Sequence, residues 1–404
     1  MKKITMGLGL TLALAMPAAQ AINQEIRALF QPDSAQPSKN LFVNQTPNSG
    51  FCVSYPDYCA PANMFSIEVP VSFTSDRSFL AGDDVSVQAP ANWRRLTVTN
   101  QDTGESEVVE VRITGIGSVL KLSERAQDLS GIANKFQAHD ALWTTNGWLF
   151  AGAPCRNSPV SGVGDKEYRF FWHTPVEASC TKTVALPIPS MWFDNLDFAY
   201  ELKTPNPLGM SSGLYTGSLT YTMGPGGDFQ IGGMMQPDDS TLTLDFVLDV
   251  QHTLKVDLPP GGNNVTLEPE GGWARWLDSG RKPPRIFRDQ LFYISASSRF
   301  KVMLLCSSYG GNTCNLGSQE DGSTEVQVSM SLPAGITHGG GNAVNRLALR
   351  FNEWIGPFQP GVYIDRKPGT LHFDMTPFAI DFLLKPGYAG RLHGNVTIIW
   401  DSDV

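Results

Sequence analysis

The chain has 404 residues and a formal net charge of −9, and only 17% of its residues are charged. Its 39 glycines and 28 prolines, with abundant Val, Thr, Phe and Tyr, favour strands and turns over helices. The acidic balance argues against nucleic-acid binding, which needs Lys and Arg to replace phosphate counterions, so we predict no nucleic-acid partner. The length exceeds what one ordinary core supports and predicts roughly two domains.

The N-terminus has the pattern of an export signal. Lys2 and Lys3 give a basic start, residues 4–16 are apolar, and Ala19-Gln20-Ala21 matches the small-x-small pattern that a signal peptidase cuts after. The apolar run is too short to span a bilayer. We therefore predict a signal peptide at residues 1–21 and a mature chain that is exported through the periplasm.

Six cysteines follow the predicted signal: Cys52, Cys59, Cys155, Cys180, Cys306 and Cys314. An even number behind an export signal indicates disulfides formed in an oxidising compartment. Fifteen pairings are possible, and the simplest joins neighbours in chain order (52–59, 155–180 and 306–314), closing three loops. No CxxC motif or histidine-rich partner accompanies the cysteines, so we predict neither a metal site nor a cofactor.

Period-2 alternation of apolar side chains is the dominant pattern, and it predicts an all-β chain of antiparallel strands. The strongest example is residues 242–258, where every even position except His252 is Leu, Val or Phe. A run of this length predicts one very long strand that bends and serves two sheets of a sandwich.

The segment before this strand is rich in Gly, Pro and Asp, which predicts a domain boundary near residue 238. The expected division is an N-terminal domain at residues 22–238 and a C-terminal domain at residues 239–404. About six alternating runs follow in the second domain, a spacing typical of an immunoglobulin-like sandwich. The last run closes on Leu392, Gly394, Val396, Ile398 and Trp400.

Three segments resemble known proteins: the opening strand Thr241–Leu258, the closing run Pro386–Trp400 with its G-x-Y-x-G-x-V pattern, and Tyr215–Phe229. The first two are similar to the first and last strands of pilins, and the third to the end of an adhesin domain. Together they resemble the two-domain tip adhesins and minor pilins of the alternate chaperone–usher class (CfaE-like and CblD-like). The resemblance spans about residues 194–404.

The resemblance implies two immunoglobulin-like sandwiches, of which the C-terminal one is an incomplete pilin sandwich lacking its final strand. The strand ending in Leu392, Val396, Ile398 and Trp400 would pair with a periplasmic chaperone and then, at an outer-membrane usher, with the donor strand of a major pilin. We see no alternating donor segment after the predicted signal, and a subunit that accepts a strand without donating one belongs at the tip. The alternative is a complete sandwich that ends on its last strand.

These patterns predict a pilus-tip adhesin and assembly initiator at the cell surface, whose N-terminal domain binds a host glycan or protein receptor. The alternatives are a structural minor pilin without a receptor and a secreted β-sandwich carbohydrate-active enzyme. Gly209–Gly213 matches the G-x-S-x-G motif of hydrolases, but no strand-turn-helix pattern surrounds it. We therefore predict a loop there, no catalytic residue and no enzyme.

The segment between Cys155 and Cys180 is the candidate receptor-binding region. It brings together Arg156, Lys166, Arg169 and Trp172, and basic and aromatic side chains of this kind bind sugar hydroxyls, carboxylates and pyranose faces. The alternative is that Tyr168, Phe170 and Trp172 alternate as the core face of a strand, leaving Arg169 and its odd-numbered neighbours outside.

Overall fold

A computed structural model describes residues 22–318 and 320–402 of the chain. The predicted signal peptide lies outside the described residues. Within them the chain folds mainly into strands, arranged in four sheets with a few short helices between them, as predicted. In the described part, no helix has the length and apolar character needed to cross a membrane.

Seventeen described strands precede Gln251, and we call residues 22–250 the N-terminal unit. They are β1 (Ile22–Phe30), β2 (Val43–Asn44), β3 (Ser66–Val69), β4 (Phe73–Thr74), β5 (Asp84–Gln88), β6 (Arg94–Asn100), β7 (Ser106–Leu122), β8 (Arg156–Asn157), β9 (Gly162–Val163), β10 (Glu167–His173), β11 (Cys180–Thr183), β12 (Met191–Phe193), β13 (Leu196–Lys203), β14 (Gly213–Thr222), β15 (Gln230–Ile231), β16 (Gln236–Pro237) and β17 (Thr241–Val250).

Thirteen described strands follow Thr253, and we call residues 254–402 the C-terminal unit. They are β18 (Leu254–Asp257), β19 (Glu268–Pro269), β20 (Ile286–Ala296), β21 (Phe300–Cys306), β22 (Tyr309–Gly310), β23 (Thr313–Ser318), β24 (Gly322–Ser331), β25 (Ile336–His338), β26 (Asn342–Ala343), β27 (Leu347–Leu349), β28 (Trp354–Pro360), β29 (Ile364–Met375) and β30 (Val396–Asp401).

The described helices are all short and connect strands. They are α1 (Phe51–Ser54), α2 (Pro56–Cys59), α3 (Ala126–Ser130), α4 (Lys135–Ala141), α5 (Trp273–Ser279) and α6 (Pro377–Leu383), with a single 3-10 turn at Pro207–Gly209.

The long strand β7 organises the N-terminal unit. On one edge it pairs with β6 along its first part and with β10 along its later part, and on the other edge it pairs with β13 and then with β12. The register between β13 and β7 shifts between Ala199 and Tyr200, where β7 carries one extra residue, Thr114. The 14-stranded sheet built in this way, with the small sheet β11-β5-β15, encloses one apolar core.

The run 242–258 is two strands and not the single strand that its periodicity predicts. β17 pairs with β14 in the N-terminal unit and buries its even-numbered side chains in that unit's core, whereas β18 pairs with β20. The change from one core to the other therefore falls at Gln251–Thr253, after the boundary expected near residue 238. Periodicity describes alternation along a strand, but it carries no information on which sheet receives the strand.

An alternating segment does follow the predicted signal, contrary to our expectation. β1 lies parallel to β17 from Ile22↔Leu242 to Phe30↔Val250, and Ile26, Ala28 and Phe30 are buried in the core. Glu25 and Arg27, which form an ion pair, alternate with these buried positions, but Gln24 on the inward face and Leu29 on the outward face interrupt the apolar alternation. This strand is used inside its own unit.

The C-terminal unit is a two-sheet sandwich. The sheet β18-β20-β29-β24-β23-β22 faces the sheet β26-β25-β28-β21-β30 across a single core. That core contains Phe292 and Phe373 from the first sheet with Phe300, Val302 and Phe358 from the second. The predicted sandwich is present, although its first strand is the short β18.

The three disulfides join neighbouring cysteines, which confirms the local pairing. They are Cys52–Cys59, Cys155–Cys180 and Cys306–Cys314, with Cα–Cα distances of 5.6, 5.8 and 5.6 Å. The first two lie in the N-terminal unit and the third in the C-terminal unit, so none of them crosses the junction.

His252 lies at the junction and contacts both units. Its Nε2 is 2.9 Å from the carbonyl oxygen of Met210, and its Nδ1 is 3.1 Å from Oγ of Ser297, which also accepts the backbone N–H of Thr253. A neutral ring satisfies this geometry, donating from Nε2 and accepting from the Ser297 hydroxyl at Nδ1. Burial lowers the pKa of His252 below its usual value of 6.5.

We expect the junction to lose stability in acid because of His252. Its pKa is lower in the folded chain than in the unfolded one, so its contribution is present above about pH 6.5 and is lost as the pH falls below that value. Hydrogen exchange of the Gln251 and Thr253 amides between pH 7 and pH 5 measures this. After correction for intrinsic exchange, opening should increase in the wild type but remain nearly constant in His252→Gln.

His393, which is exposed, provides the matched control. His393→Gln should retain the wild-type dependence on pH. An equal dependence in wild type and His252→Gln would contradict the assignment.

Candidate functional site

The two faces of β10 have different roles. Tyr168, Phe170 and Trp172 point into the core, as in the strand alternative considered for this segment. The side chain of Trp172 is 0% exposed, its Nε1 donates to the carbonyl oxygen of Trp148, and its ring stacks on that of Trp148 at 5.0 Å. The expectation that Trp172 contacts a receptor is therefore wrong, because its ring is completely buried in the core.

The opposite face of β10 is covered by the loop that the Cys52–Cys59 disulfide closes, residues 51–59, which we call the cysteine loop. Phe51 stacks on Phe171 at 4.3 Å, and Tyr58 Oη is 2.6 Å from Nε2 of His173. Phe171 lies flat on β7 because two glycines face it: a Cβ atom at Gly115 would be 2.4 Å from its ring. The loop thus forms a second, smaller core outside the sheet.

Arg169 lies beneath the cysteine loop and is only partly exposed. Its guanidinium is 3.5 Å from a carboxylate oxygen of Glu68 and 3.8 Å from one of Asp197, and it donates to the Ser54 hydroxyl at 3.3 Å. These contacts fix the cysteine loop to β3 and β13. Arg169 therefore has a structural role in this arrangement, which the sequence did not reveal because Glu68 and Asp197 are distant in the chain.

Arg156 and Lys166, the other two predicted receptor residues, are both exposed but lie at opposite ends of β10. Arg156 pairs with His173, the last residue of the strand, whereas Lys166 precedes its first residue and donates to the Ser123 carbonyl at 2.8 Å. The structure does not bring the four predicted residues together. Arg156 and Lys166 remain separate candidates for a receptor contact.

Asp197 is the most strongly perturbed carboxyl group in this region. Its side chain is 0% exposed, and within the described residues neither of its carboxylate oxygens has a hydrogen-bond partner. Burial and then the negative charge of Glu68 raise its pKa to about 7, although Arg169 opposes them. A protonated Asp197 is the form that this buried position favours at mildly acidic pH.

A second surface lies on the C-terminal unit, at the edges formed by β18 in one sheet and β30 in the other. Within the described residues, β30 pairs with β21 and with no strand on its other side, and β18 likewise pairs only with β20. The ring of Trp400 on β30 is 5.2 Å from that of Phe292 on β20, the strand next to β18. The two unpaired edges therefore border the same part of the core, and we call this region the open edge.

Apolar side chains along the open edge are only half-buried. Val396, Ile398 and Trp400 on β30 pack against the core but remain partly exposed, as do Leu254 and Val256 on β18. The central strands β20 and β21, in contrast, bury Phe292, Ile294, Phe300 and Val302 completely. Between β18 and β30, the apolar core is therefore partly exposed to solvent.

Three of the four predicted pairing residues lie on the open edge. Val396, Ile398 and Trp400 alternate on β30, but Leu392 does not belong to it, because residues 390–395 form no strand. In that segment the carbonyl oxygens of His393 and Asn395 accept from Gly317 and Ser307. The prediction missed Leu254 and Val256, which had been placed inside the single long strand.

The G-x-S-x-G motif lies in a loop, as predicted. Ser211 follows the Pro207–Gly209 turn, and its backbone N–H donates to a carboxylate oxygen of Glu105 and to Oη of Tyr215. The next element is β14 and not a helix. The strand-turn-helix geometry that exposes a nucleophilic serine is thus missing at this position.

We expect Asp197→Asn to remove a pH dependence of stability. In the wild type, the folded pKa of about 7 exceeds the unfolded value, so the contribution of Asp197 to stability is largest below about pH 4 and is lost as the pH rises through about 7. The amide does not ionise, so the variant should gain on the order of 4 kcal/mol relative to the wild type between pH 4 and pH 8. Thermal or denaturant unfolding across this range measures the difference.

Asp57→Asn is the control, because Asp57 is an exposed carboxylate on the neighbouring cysteine loop. Its unfolding curve should follow that of the wild type at every pH. Parallel curves for the wild type and Asp197→Asn would rule out a buried proton at Asp197.

No protein-family model and no curated protein matches the sequence. Among solved structures, the chain is similar to one from a chaperone–tip adhesin complex of CFA/I fimbriae biogenesis, with a TM-score of 0.28, 10% identity, and 95% of this chain and 97% of that chain covered. It is also similar to CfaE, the adhesive subunit of CFA/I fimbria of enterotoxigenic Escherichia coli (TM-score 0.24, 11% identity, 94% and 92% covered).

A further similar chain comes from the CsuC–CsuE chaperone–tip adhesion subunit pre-assembly complex of the archaic chaperone–usher Csu pili of Acinetobacter baumannii. Its TM-score is 0.23 at 8% identity, and the match covers 94% of this chain and 98% of that chain.

Proposed function

We propose that the protein is a pilus-tip adhesin that also initiates assembly, joined to its fibre by a strand from another subunit. The open edge between β18 and β30 is the observation that carries this proposal. It combines unpaired backbone groups on two strands with a row of half-buried apolar side chains.

An added strand would remove both defects of the open edge at once. Its backbone would pair with β30 or β18, and its alternate side chains would cover Ile398, Trp400 and Val256. Without such a strand, an edge of this kind is a template for aggregation. The chemistry therefore favours an extended, alternating apolar segment over a small ligand.

The implied partners follow from the order in which such a strand must be supplied. A periplasmic chaperone would occupy the open edge first, and the donor strand of a major pilin would replace it at the outer-membrane usher. In the N-terminal unit, β1 pairs with β17 of the same chain, so β1 is not available as a donor strand for another subunit. This arrangement supports a subunit whose C-terminal unit accepts a strand. Its N-terminal unit would then lie at the pilus tip and bind a host receptor.

A strand supplied at the open edge should stabilise the chain. We would append a ten-residue alternating Val-Thr segment after Val404 through a short Asn-Gly turn, so that it can return along β30. Each covered apolar side chain contributes ~1.5–3 kcal/mol, so the gain should be on the order of 5 kcal/mol. Denaturant unfolding and size-exclusion chromatography measure stability and aggregation.

The same segment with every Val replaced by Ser is the matched control, since it can pair its backbone but covers no core. It should confer much less stability. Equal behaviour of the unextended, Val-Thr and Ser-Thr chains would show that the sandwich is already complete.

Chaperone capture should depend on which face of β30 is altered. Ile398 packs on the core, whereas its neighbour Thr397 is exposed. With the cognate chaperone co-expressed, Ile398→Asp should reduce recovery of the periplasmic complex at least tenfold, because a buried charge would oppose strand addition. Thr397→Asp should leave recovery within about twofold of the wild type.

Because Ile398→Asp could also unfold the unit, Ile398→Ala provides a milder test. It should weaken capture in proportion to the apolar surface removed, without abolishing the complex. Undiminished capture in both Ile398 variants would place the chaperone elsewhere.

A further inference from the structure

A cleft on the N-terminal unit has the features of a ligand site that the predicted receptor residues do not include. It lies between the segment leading into β2 and the C-terminal end of β13, and it has a volume of about 570 Å³. Small-ligand pockets usually measure about 300–1,000 Å³. We call it the Trp93 cleft, after the indole in its wall.

Trp93 holds two cationic side chains. Nζ of Lys203 lies 3.9 Å from the centroid of its ring, and the Arg112 guanidinium carbon lies 4.7 Å from it. Cation–π contacts of this kind restrict the long side chains that make them. The ammonium group of Lys203, which lines the cleft, is thus held in place before any ligand arrives.

The carboxylate in the wall of the cleft is already paired. Arg112 donates from Nε and Nη2 to one oxygen of Glu201, at 2.8 and 2.6 Å. Glu110, which lies 3.5 Å from Nζ of Lys203, is shared with Arg95 at 2.9 Å. The negative charges near the cleft are therefore largely neutralised by arginines.

Positive charge consequently remains in the cleft. Lys39 lines it and forms no ion pair within the described residues, and Lys203 shares its only carboxylate partner there. This local excess occurs in a part of the chain, residues 22–239, whose formal net charge is −9. Two ammonium groups without a dedicated carboxylate favour an anionic ligand group.

The remaining walls suit a hydroxyl-rich ring. The side chains of Asn63 and Thr204 line the cleft and, in the part of the chain that the structure describes, form no hydrogen bond. Phe42 and the exposed Leu41 supply an apolar wall. Free amide and hydroxyl groups beside an aromatic surface are the combination that binds the polar rim and the apolar face of a sugar.

We infer that the Trp93 cleft binds an acidic saccharide, with the sugar carboxylate at Lys39 and Lys203, its hydroxyl groups at Asn63 and Thr204, and one ring face against Phe42. This inference supplies the ligand class for the adhesive role proposed above and rests on that role. Sialic acids and uronic acids share the chemistry, so the test must separate them.

Binding should be measured by calorimetry on the full mature chain, purified in its chaperone complex, with 3′-sialyllactose, a glucuronic-acid disaccharide of hyaluronan and lactose as probes. We expect at least one acidic probe to bind at least tenfold more tightly than lactose, and the stronger of the two identifies the acid. Lys39→Gln and Lys203→Gln should each reduce that affinity at least tenfold, and 0.5 M NaCl should also weaken it.

Arg125→Gln and Lys367→Gln are the matched controls, since each removes one exposed positive charge that does not line the cleft, and neither residue is a candidate for a receptor contact. Both should bind as the wild type does. Lys39 is exposed and unpaired, so its substitution tests the cleft even if Lys203→Gln perturbs folding through Trp93.

Equal affinity for lactose and the acids, no measurable binding of either acid, or loss of binding in Arg156→Gln but not in the two cleft variants would overturn the inference. These outcomes leave the proposed function standing if the chaperone complex still forms. Failure of that complex, in contrast, would count against the proposed function itself.

Discussion

A β-sandwich requires that the backbone groups at the edges of its sheets be paired or shielded, and that both sheets cover the core between them. The N-terminal unit meets this requirement from its own sequence, because β1 lies along β17 for nine residues and buries Ile26, Ala28 and Phe30. The C-terminal unit does not meet it between β18 and β30, where Ile398 and Trp400 stay half-buried. The proposed assembly function depends on this difference.

The two units are joined at the point where the long alternating run changes sheets. β17 is paired on both sides in the first unit, by β14 and β1, so it has no free edge to offer the second. The chain therefore crosses at Gln251–Thr253, and His252 contacts the carbonyl of Met210 on one side and Ser297 on the other. A neutral imidazole fits both contacts, so the stability of the junction depends on the protonation state of His252.

In the N-terminal unit, ion pairs between residues distant in sequence decide which charged side chains remain available to a ligand. Arg169 is held by Glu68 and Asp197 beneath the cysteine loop, so a residue with the chemistry of a receptor contact serves to fasten that loop. At the Trp93 cleft the opposite holds, since Arg112 occupies Glu201 and leaves Lys39 and Lys203 available. A cationic site can therefore exist within an acidic domain, because local pairing sets the field that a ligand meets.

Local properties of the chain predicted the all-β class and the C-terminal sandwich through alternation and turn residues, and they made local disulfides the simplest of fifteen pairings, which the folded chain then confirmed. The sequence also placed Val396, Ile398 and Trp400 on one face of a strand, since side chains alternate with a period of two. The sheet that receives residues 242–250 depends on contacts with residues distant in sequence, because a strand with the same pattern fits either core.

Tertiary structure likewise decided that Trp172 faces Trp148 in the core and that Arg169 is paired. The Trp93 cleft could not be predicted from the sequence for the same reason. Its walls come from segments near residues 39, 63, 93 and 203, which meet only in the folded chain. Local patterns fix which face a side chain occupies, whereas the partner across that face is set by contacts between residues that are distant in sequence.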